Sequence, residues 1–310
     1  MPNLTVEIFG VKFKNPVWVA SGTFGYGIEA LELYDVSRLG AVVTKGISLK
    51  PREGNMPERI AETPCGMLNS IGLQNPGVDD FLKKIYPQIK NVDTHFIANI
   101  FGEDEEEYVE VCSALEEADK IVAYELNVSC PNVKRGGMLF GHDESVLGRL
   151  VERVKASVKK PVLVKLSPNT GDLRPFARVC MDAGADALVL INTLLGMKID
   201  IKTQKPELST FMGGLSGPAI LPIAVRMVWE VFSQLGSGLP IIGVGGIYDA
   251  DSALQHVLAG AVCVQVGTAN FFDPYAPIKI LESIESYMSE KRIENFTDLV
   301  GRAHQLFVRP

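Results

Sequence analysis

The stretch ESVLGRLVERVKASVKKPVLVKLS, residues 144–167, contains the repeating unit of this chain. Its first part, 144–158, carries apolar residues at helical spacing, and its last part, 162–167, is a short, nearly continuous apolar run. Such a run is what a strand buried on both faces looks like. Another run, 123–129 (AYELNVS), lies upstream, and 187–192 (ALVLIN) lies downstream. Strand, helix and strand in that order predict parallel strands joined by helical crossovers.

The pattern extends in both directions. Further runs occur at 16–20 (PVWVA), 41–45 (AVVTK), 95–100 (HFIANI), 240–246 (PIIGVGG) and 263–268 (CVQVGT). Helix-like stretches at 105–117 and 219–234 lie between them. Eight β/α units with no break in composition predict an α/β fold, a (β/α)8 TIM barrel, rather than an open doubly wound sheet. The 310 residues suit one such domain spanning 1–310, since a barrel of this kind takes about 250 residues plus insertions. Segments 4–9 and 11–13 flank Gly10 and predict a hairpin under the barrel bottom. Insertions follow strand two (46–75), strand four (130–141) and strand six (193–217). All three leave C-terminal strand ends, where barrel enzymes build their sites.

Composition narrows the function classes. With 46% hydrophobic and 22% charged residues, the chain can bury a core without disulfide or metal staples. A net charge of -7 argues against a nucleic-acid surface. The five cysteines have no metal or cluster spacing. Free thiols, no signal-like N-terminus and no run of about 20 uninterrupted apolar residues predict a cytoplasmic protein.

The chemistry-bearing residues sit at strand ends. Lys45, Asn99, Asn127, Lys165 and Asn192 each close an apolar run. Five polar residues on one barrel end describe a lined pocket better than solvent-facing edges. Carboxamides both donate and accept hydrogen bonds, which suits a neutral heterocycle such as a pyrimidine or a flavin. The two lysines suit a phosphate, a carboxylate or a reduced flavin. Glycines cluster at 213–217, 243–246 and 267, and predict a phosphate site with Thr268 and a helix N-terminus. Gly25-Tyr26-Gly27-Ile28-Glu29-Ala30 fits G-x-G-x-x-A, but the next strand ends in Lys45 and not in an acidic residue. It is therefore rejected as a dinucleotide fingerprint.

Cys130 follows strand four in Asn127-Val128-Ser129-Cys130-Pro131-Asn132 and heads a loop containing Gly136, Gly137 and Gly141. Cys112, Cys180 and Cys263 read as small buried hydrophobes; Cys65, in an insertion, fits either reading. Lys134 and Arg135 could favour a thiolate at Cys130, which could then act as a base. No histidine neighbours it in sequence, and His142, the nearest at a loop end, reads as a surface residue or one that supports the site from behind, so a Cys–His nucleophile fits poorly.

Asn-Val-Ser-Cys-Pro-Asn at 127–132, Asn-Ser-Ile-Gly-Leu-Gln-Asn at 69–75, Ala-Ser-Gly-Thr-Phe-Gly at 20–25 and Ile-Asn-Thr at 191–193 resemble class 1 dihydroorotate dehydrogenases. The resemblance covers essentially the whole chain. The loop 132–137 with Phe140-Gly141 is similar to subclass 1B. The resemblance implies FMN at the barrel mouth, contacted by Ser21, Lys45, Gly46, Asn99, Asn127, Lys165, Ile191, Gly217, Gly245, Gly246, Gly267 and Thr268. It implies substrate contacts from Lys45, Asn69, Ser70, Ile71, Gly72, Leu73, Asn127, Asn132, Asn192 and Thr193, with Cys130 as the proton-transferring residue and no metal. It further implies a partner subunit carrying FAD and a [2Fe–2S] cluster that passes electrons to NAD. A homodimer core within a heterotetramer is the assembly expected.

Alternatives are a fumarate-linked subclass 1A enzyme, a dihydropyrimidine dehydrogenase-like barrel and a tRNA dihydrouridine synthase. The second usually has His where this chain has Asn132. The third wants a basic surface and a C-terminal RNA-binding domain.

Overall fold

The computed structural model describes residues 2–129 and 140–306. The eight apolar runs become the strands β1 (Val17–Val19), β2 (Ala41–Val43), β3 (His95–Ile100), β4 (Ile121–Asn127), β5 (Val162–Lys165), β6 (Ala187–Leu190), β7 (Ile241–Val244) and β8 (Cys263–Val266). Each is parallel to its sequence neighbours. β8 returns to β1 through Val264↔Val17 and Val266↔Val19, so the sheet is closed rather than open.

The outer ring includes α1 (Glu105–Ala114), α2 (Glu144–Ser157), α3 (Arg174–Asp182), α4 (Leu221–Leu235), α5 (Ala250–Ala259) and α6 (Ala276–Lys291). Several starts are fixed by aspartate caps. Asp104 accepts from the Glu107 amide, Asp143 from Ser145 and Val146, and Asp249 forms a capping box with Ser252. α1 is shorter than the predicted 105–117. Glu116 and Glu117 would lie at the negative end of its dipole, and the chain turns before them. α4 begins after a 3-10 turn over Pro218–Ile220 rather than at 219. The 21 residues Pro218–Gly238 are apolar and long enough by composition to cross a membrane. Here Ala224, Met227, Val228 and Val231 pack into the core, while Arg226 and Glu230 pair on the helix exterior.

The predicted hairpin forms as Val6–Ile8 against Val11–Phe13. Phe9 and Gly10 both have positive φ, 41° and 77°, as a two-residue type I′ turn demands. The hairpin carries Phe13, fully buried, to the lower end of the barrel. Its ring lies 4.6 Å from Trp18 and 5.2 Å from His95.

The insertions after β2 and β6 do not form separate loops. They contribute Ile60–Thr63 with Gly66–Asn69, and Leu194–Met197 with Met212–Ser216, to one four-stranded antiparallel sheet. Its central pairing sets Asn69 opposite Gly214 and Leu68 opposite Leu215. Ala61, Leu68, Leu208 and Leu215 form a small apolar cluster of their own. Gly213 and Gly214 are thus strand residues and do not belong to a phosphate loop. A Cβ on Gly213 would lie 2.5 Å from the Asn69 carbonyl oxygen, and one on Gly214 would lie 2.1 Å from Thr193 Oγ1. These glycines allow close strand approach. The 25–30 glycine pattern forms turns, with Glu29 accepting from the Tyr26 amide, and opens no helix.

Candidate active site

Parallel strands alternate their side chains, so every second residue points into the barrel. Asn99 on β3 is paired in register with Glu125 on β4, and Asn127 with Lys165 on β5. The side chains of Asn99, Glu125 and Lys165 meet inside. Asn99 Nδ2 donates to Glu125 Oε1 at 2.7 Å, and Lys165 Nζ lies 3.6 Å from the same oxygen. Lys165 Nζ also stands 3.4 Å from Ser21 Oγ, beyond β1. Gln265 on β8 reaches across the interior to donate to Glu125 Oε2 at 2.7 Å. Glu125 and Gln265 are wholly buried, and Asn99 and Lys165 nearly so.

Nearer the mouth, Asn192 Nδ2 donates to Asn127 Oδ1 at 3.2 Å, and Asn192 Oδ1 accepts from the Thr193 backbone amide at 2.8 Å. Tyr108 of α1 holds the Asn127 backbone carbonyl at 2.8 Å. The Lys45 ammonium has its pKa lowered, first by burial and then by the Arg59 charge, partly offset by Glu29. Four of the five predicted strand-end residues, Asn99, Asn127, Lys165 and Asn192, therefore line one interior surface. Their amides and ammonium suit the hydrogen-bonding edge of a flavin or pyrimidine.

The glycine residues after β7 form a cradle. Gly245 and Gly246 have φ of +121° and +77°. A Cβ on Gly246 would lie 2.5 Å from the backbone nitrogen of Leu221, the first residue of α4. Gly217, φ +99°, precedes the turn into that helix. Close backbone at the start of a 15-residue helix is suited to a phosphate. Gly267 and Thr268 follow β8, and the helix after them, Ala269–Phe272, is a single turn. Ile191 is buried, while Ser21 and Gly46 are half-buried. The donor set and the cradle both fit FMN.

The segment after Asn69 is held by its neighbours. Asn55 Nδ2 donates to the Ser70 carbonyl and hydroxyl oxygens, and the Ile71 carbonyl accepts from the Asn55 amide. Gly72 and Leu73 both have positive φ, 74° and 57°. For leucine this costs about 1–2 kcal/mol, a strain tolerated where structure over-determines it. Asn69 Nδ2 donates to the Gly214 carbonyl, and Asn169 Nδ2 to that of Thr193. The two insertions thus bring Asn69, Ser70, Ile71, Gly72, Leu73 and Thr193 to one side of the mouth.

A sequence profile described as dihydroorotate dehydrogenase matches residues 3–288. The chain belongs to the dihydroorotate dehydrogenase family. It is 68% identical over 98% of its length to an Aquifex aeolicus protein named "Putative dihydroorotate dehydrogenase A (fumarate)", 99% of which is covered. It is 50% identical, over 97% of its length and 98% of theirs, to the Geotalea daltonii protein named dihydroorotate dehydrogenase B (NAD(+)), catalytic subunit. The Desulforamulus reducens protein of that name is 51% identical over 97% of this chain and 99% of its own. Membership makes the chain an oxidoreductase of a flavin-dependent family acting in pyrimidine biosynthesis.

Cys130, Asn132, Lys134, Arg135, Gly136 and Gly137 lie outside the described residues. Cys112, Cys180 and Cys263 are buried, and burial pushes each thiol well above its ordinary pKa, as a structural cysteine requires. Cys65 is exposed and so is His142. Glu125, Gln265, Asn55 and Asn169 were not singled out from the sequence. A charged residue inside a doubly buried strand, two positions before Asn127 and hence on its face, was the available signal for Glu125.

Proposed function

We propose that this chain is an FMN-binding catalytic subunit that oxidises (S)-dihydroorotate to orotate, built as a single barrel domain. The observation that carries the reading is the convergence of Asn99, Asn127, Asn192, Lys165 and Ser21 beside the Gly245–Gly246 cradle.

The Gly217, Gly245, Gly246, Gly267 and Thr268 backbone would hold the FMN phosphate. Ser21, Lys45, Gly46, Asn99, Asn127, Lys165 and Ile191 would line its ring. Bound FMN supplies the acceptor for a hydride from C6 of dihydroorotate. Cys130, as thiolate, takes the proton from C5. Asn69, Asn127, Asn132, Asn192 and Thr193 hold the pyrimidine edges, with Lys45 and the 70–73 backbone beside them, so that the reaction gains from positioning. The Lys165 ammonium would favour negative charge developing on the bound flavin. The test is flavin content and anaerobic reduction by dihydroorotate: purified protein without FMN, or with FMN that dihydroorotate leaves oxidised, would refute the reading.

We place it with the NAD-linked enzymes, its electrons passing to a partner carrying FAD and a [2Fe–2S] cluster in a cytoplasmic heterotetramer. The names of relatives at 50% identity support this. The name of the relative at 68% favours fumarate as acceptor. Fumarate-dependent turnover by the isolated chain decides between them: its presence supports the second reading, its absence the first.

A further inference from the structure

Glu125 is the most confined ion among the described residues of the barrel interior. It is fully buried, its Oε2 accepts from Gln265, and its Oε1 accepts from Asn99 and faces Lys165. Barrel interiors are ordinarily filled by branched apolar side chains. An ion pair there is a poor source of stability, because desolvating two charges offsets their attraction. What the pair does provide is a fixed position for the ammonium. Without Glu125, Lys165 has only Ser21 Oγ within hydrogen-bonding reach among the described residues.

We infer that Glu125 is a positioning residue that sets how strongly the site favours reduced flavin. The inference rests on the flavin lying against Lys165, as proposed above. Reduction places negative charge beside Lys165, which the ammonium stabilises and the carboxylate behind it opposes. Glu125 therefore pins Lys165 in place and partly offsets its charge. The two members of one ion pair should move the flavin potential in opposite directions, which a purely structural role would not do.

The test is the two-electron potential of FMN in the holoenzyme, from dithionite titration against a reference dye. This needs no dihydroorotate, so a failed titration result and a failed substrate assignment are read separately. Glu125→Gln removes the charge and keeps the shape. Its new amide can donate to Gln265 Oε1, a buried oxygen that now lacks a partner. The variant should shift the equilibrium toward reduced flavin by about tenfold, a rise of ~30 mV for a two-electron couple. Lys165→Met should shift it at least as far the other way. Glu125→Asp, which keeps the charge, should stay near the wild type.

An unchanged or lowered potential in Glu125→Gln would overturn the inference, as would a shift in the same direction for both members of the pair. If Glu125→Gln does not retain flavin, the swap Glu125→Gln with Gln265→Glu keeps both groups and the total charge but moves the carboxylate away from Lys165. A raised potential is expected there too, and an unchanged one would also overturn the inference.

Discussion

Replacing Gly246 by alanine should separate cofactor retention from barrel folding. The new Cβ would lie 2.5 Å from the nitrogen, Cα and Cβ of Leu221, at a φ of +77°. The left-handed backbone costs alanine about 1–2 kcal/mol. Relieving the clash means moving the start of α4, and such overpacking costs about 1–3 kcal/mol. The reduced freedom of the unfolded chain returns about 0.4–1 kcal/mol. A net loss of about 1–4.5 kcal/mol follows, with the displacement concentrated where the phosphate would sit. Gly184→Ala is the control: its φ is +84°, yet nothing lies within 4 Å of the added Cβ. It should bear the backbone strain alone, about 1 kcal/mol, and keep its flavin. Denaturant unfolding gives the stabilities, and absorbance of the purified protein gives the flavin content. Equal stability loss and equal flavin content in the two variants would refute the cradle.

Three further outcomes follow from the same structure. Cys130→Ala should retain FMN while its reduction by dihydroorotate is nearly abolished; stopped-flow absorbance checks this, and full-rate reduction would remove Cys130 from the mechanism. His256 is fully buried with Nε2 on the Gly245 carbonyl, and burial lowers its pKa from 6.5 to about 4. Because the folded value is depressed, the unfolded chain binds the extra proton first. Stability is therefore intact above pH 6.5 and falls by about 3 kcal/mol as the pH drops toward 4. The fall should be shallower in His256→Gln, and identical slopes would contradict the assignment. Phe13→Ala, at the far end of the barrel, should cost about 3–5 kcal/mol with no change in flavin content, as measured by denaturant unfolding and absorbance.

The barrel was legible because each parallel strand is buried on both faces and so reads as a compact apolar run. The hairpin was legible because Gly10 marks its turn. The insertion sheet was not, since Gly66–Asn69 pairs with Met212–Ser216 far along the chain and only tertiary packing fixes that register. The same pairing explains why Gly213 and Gly214 were read as phosphate glycines: close backbone approach calls for glycine whether the neighbour is a ligand or a strand. Asn99, Asn127, Lys165 and Asn192 could be picked out because they interrupt apolar runs at their ends. Glu125 and Gln265 sit inside such runs, and their hydrogen bond joins opposite walls of the barrel, a contact that exists only after closure.

The most direct test is anaerobic mixing of the purified protein with dihydroorotate while the visible flavin absorbance is followed. Rapid bleaching, with orotate formed in equal amount to flavin reduced, is the predicted result. A bound flavin that remains oxidised under dihydroorotate, yet is reduced by dithionite, would contradict the assigned substrate.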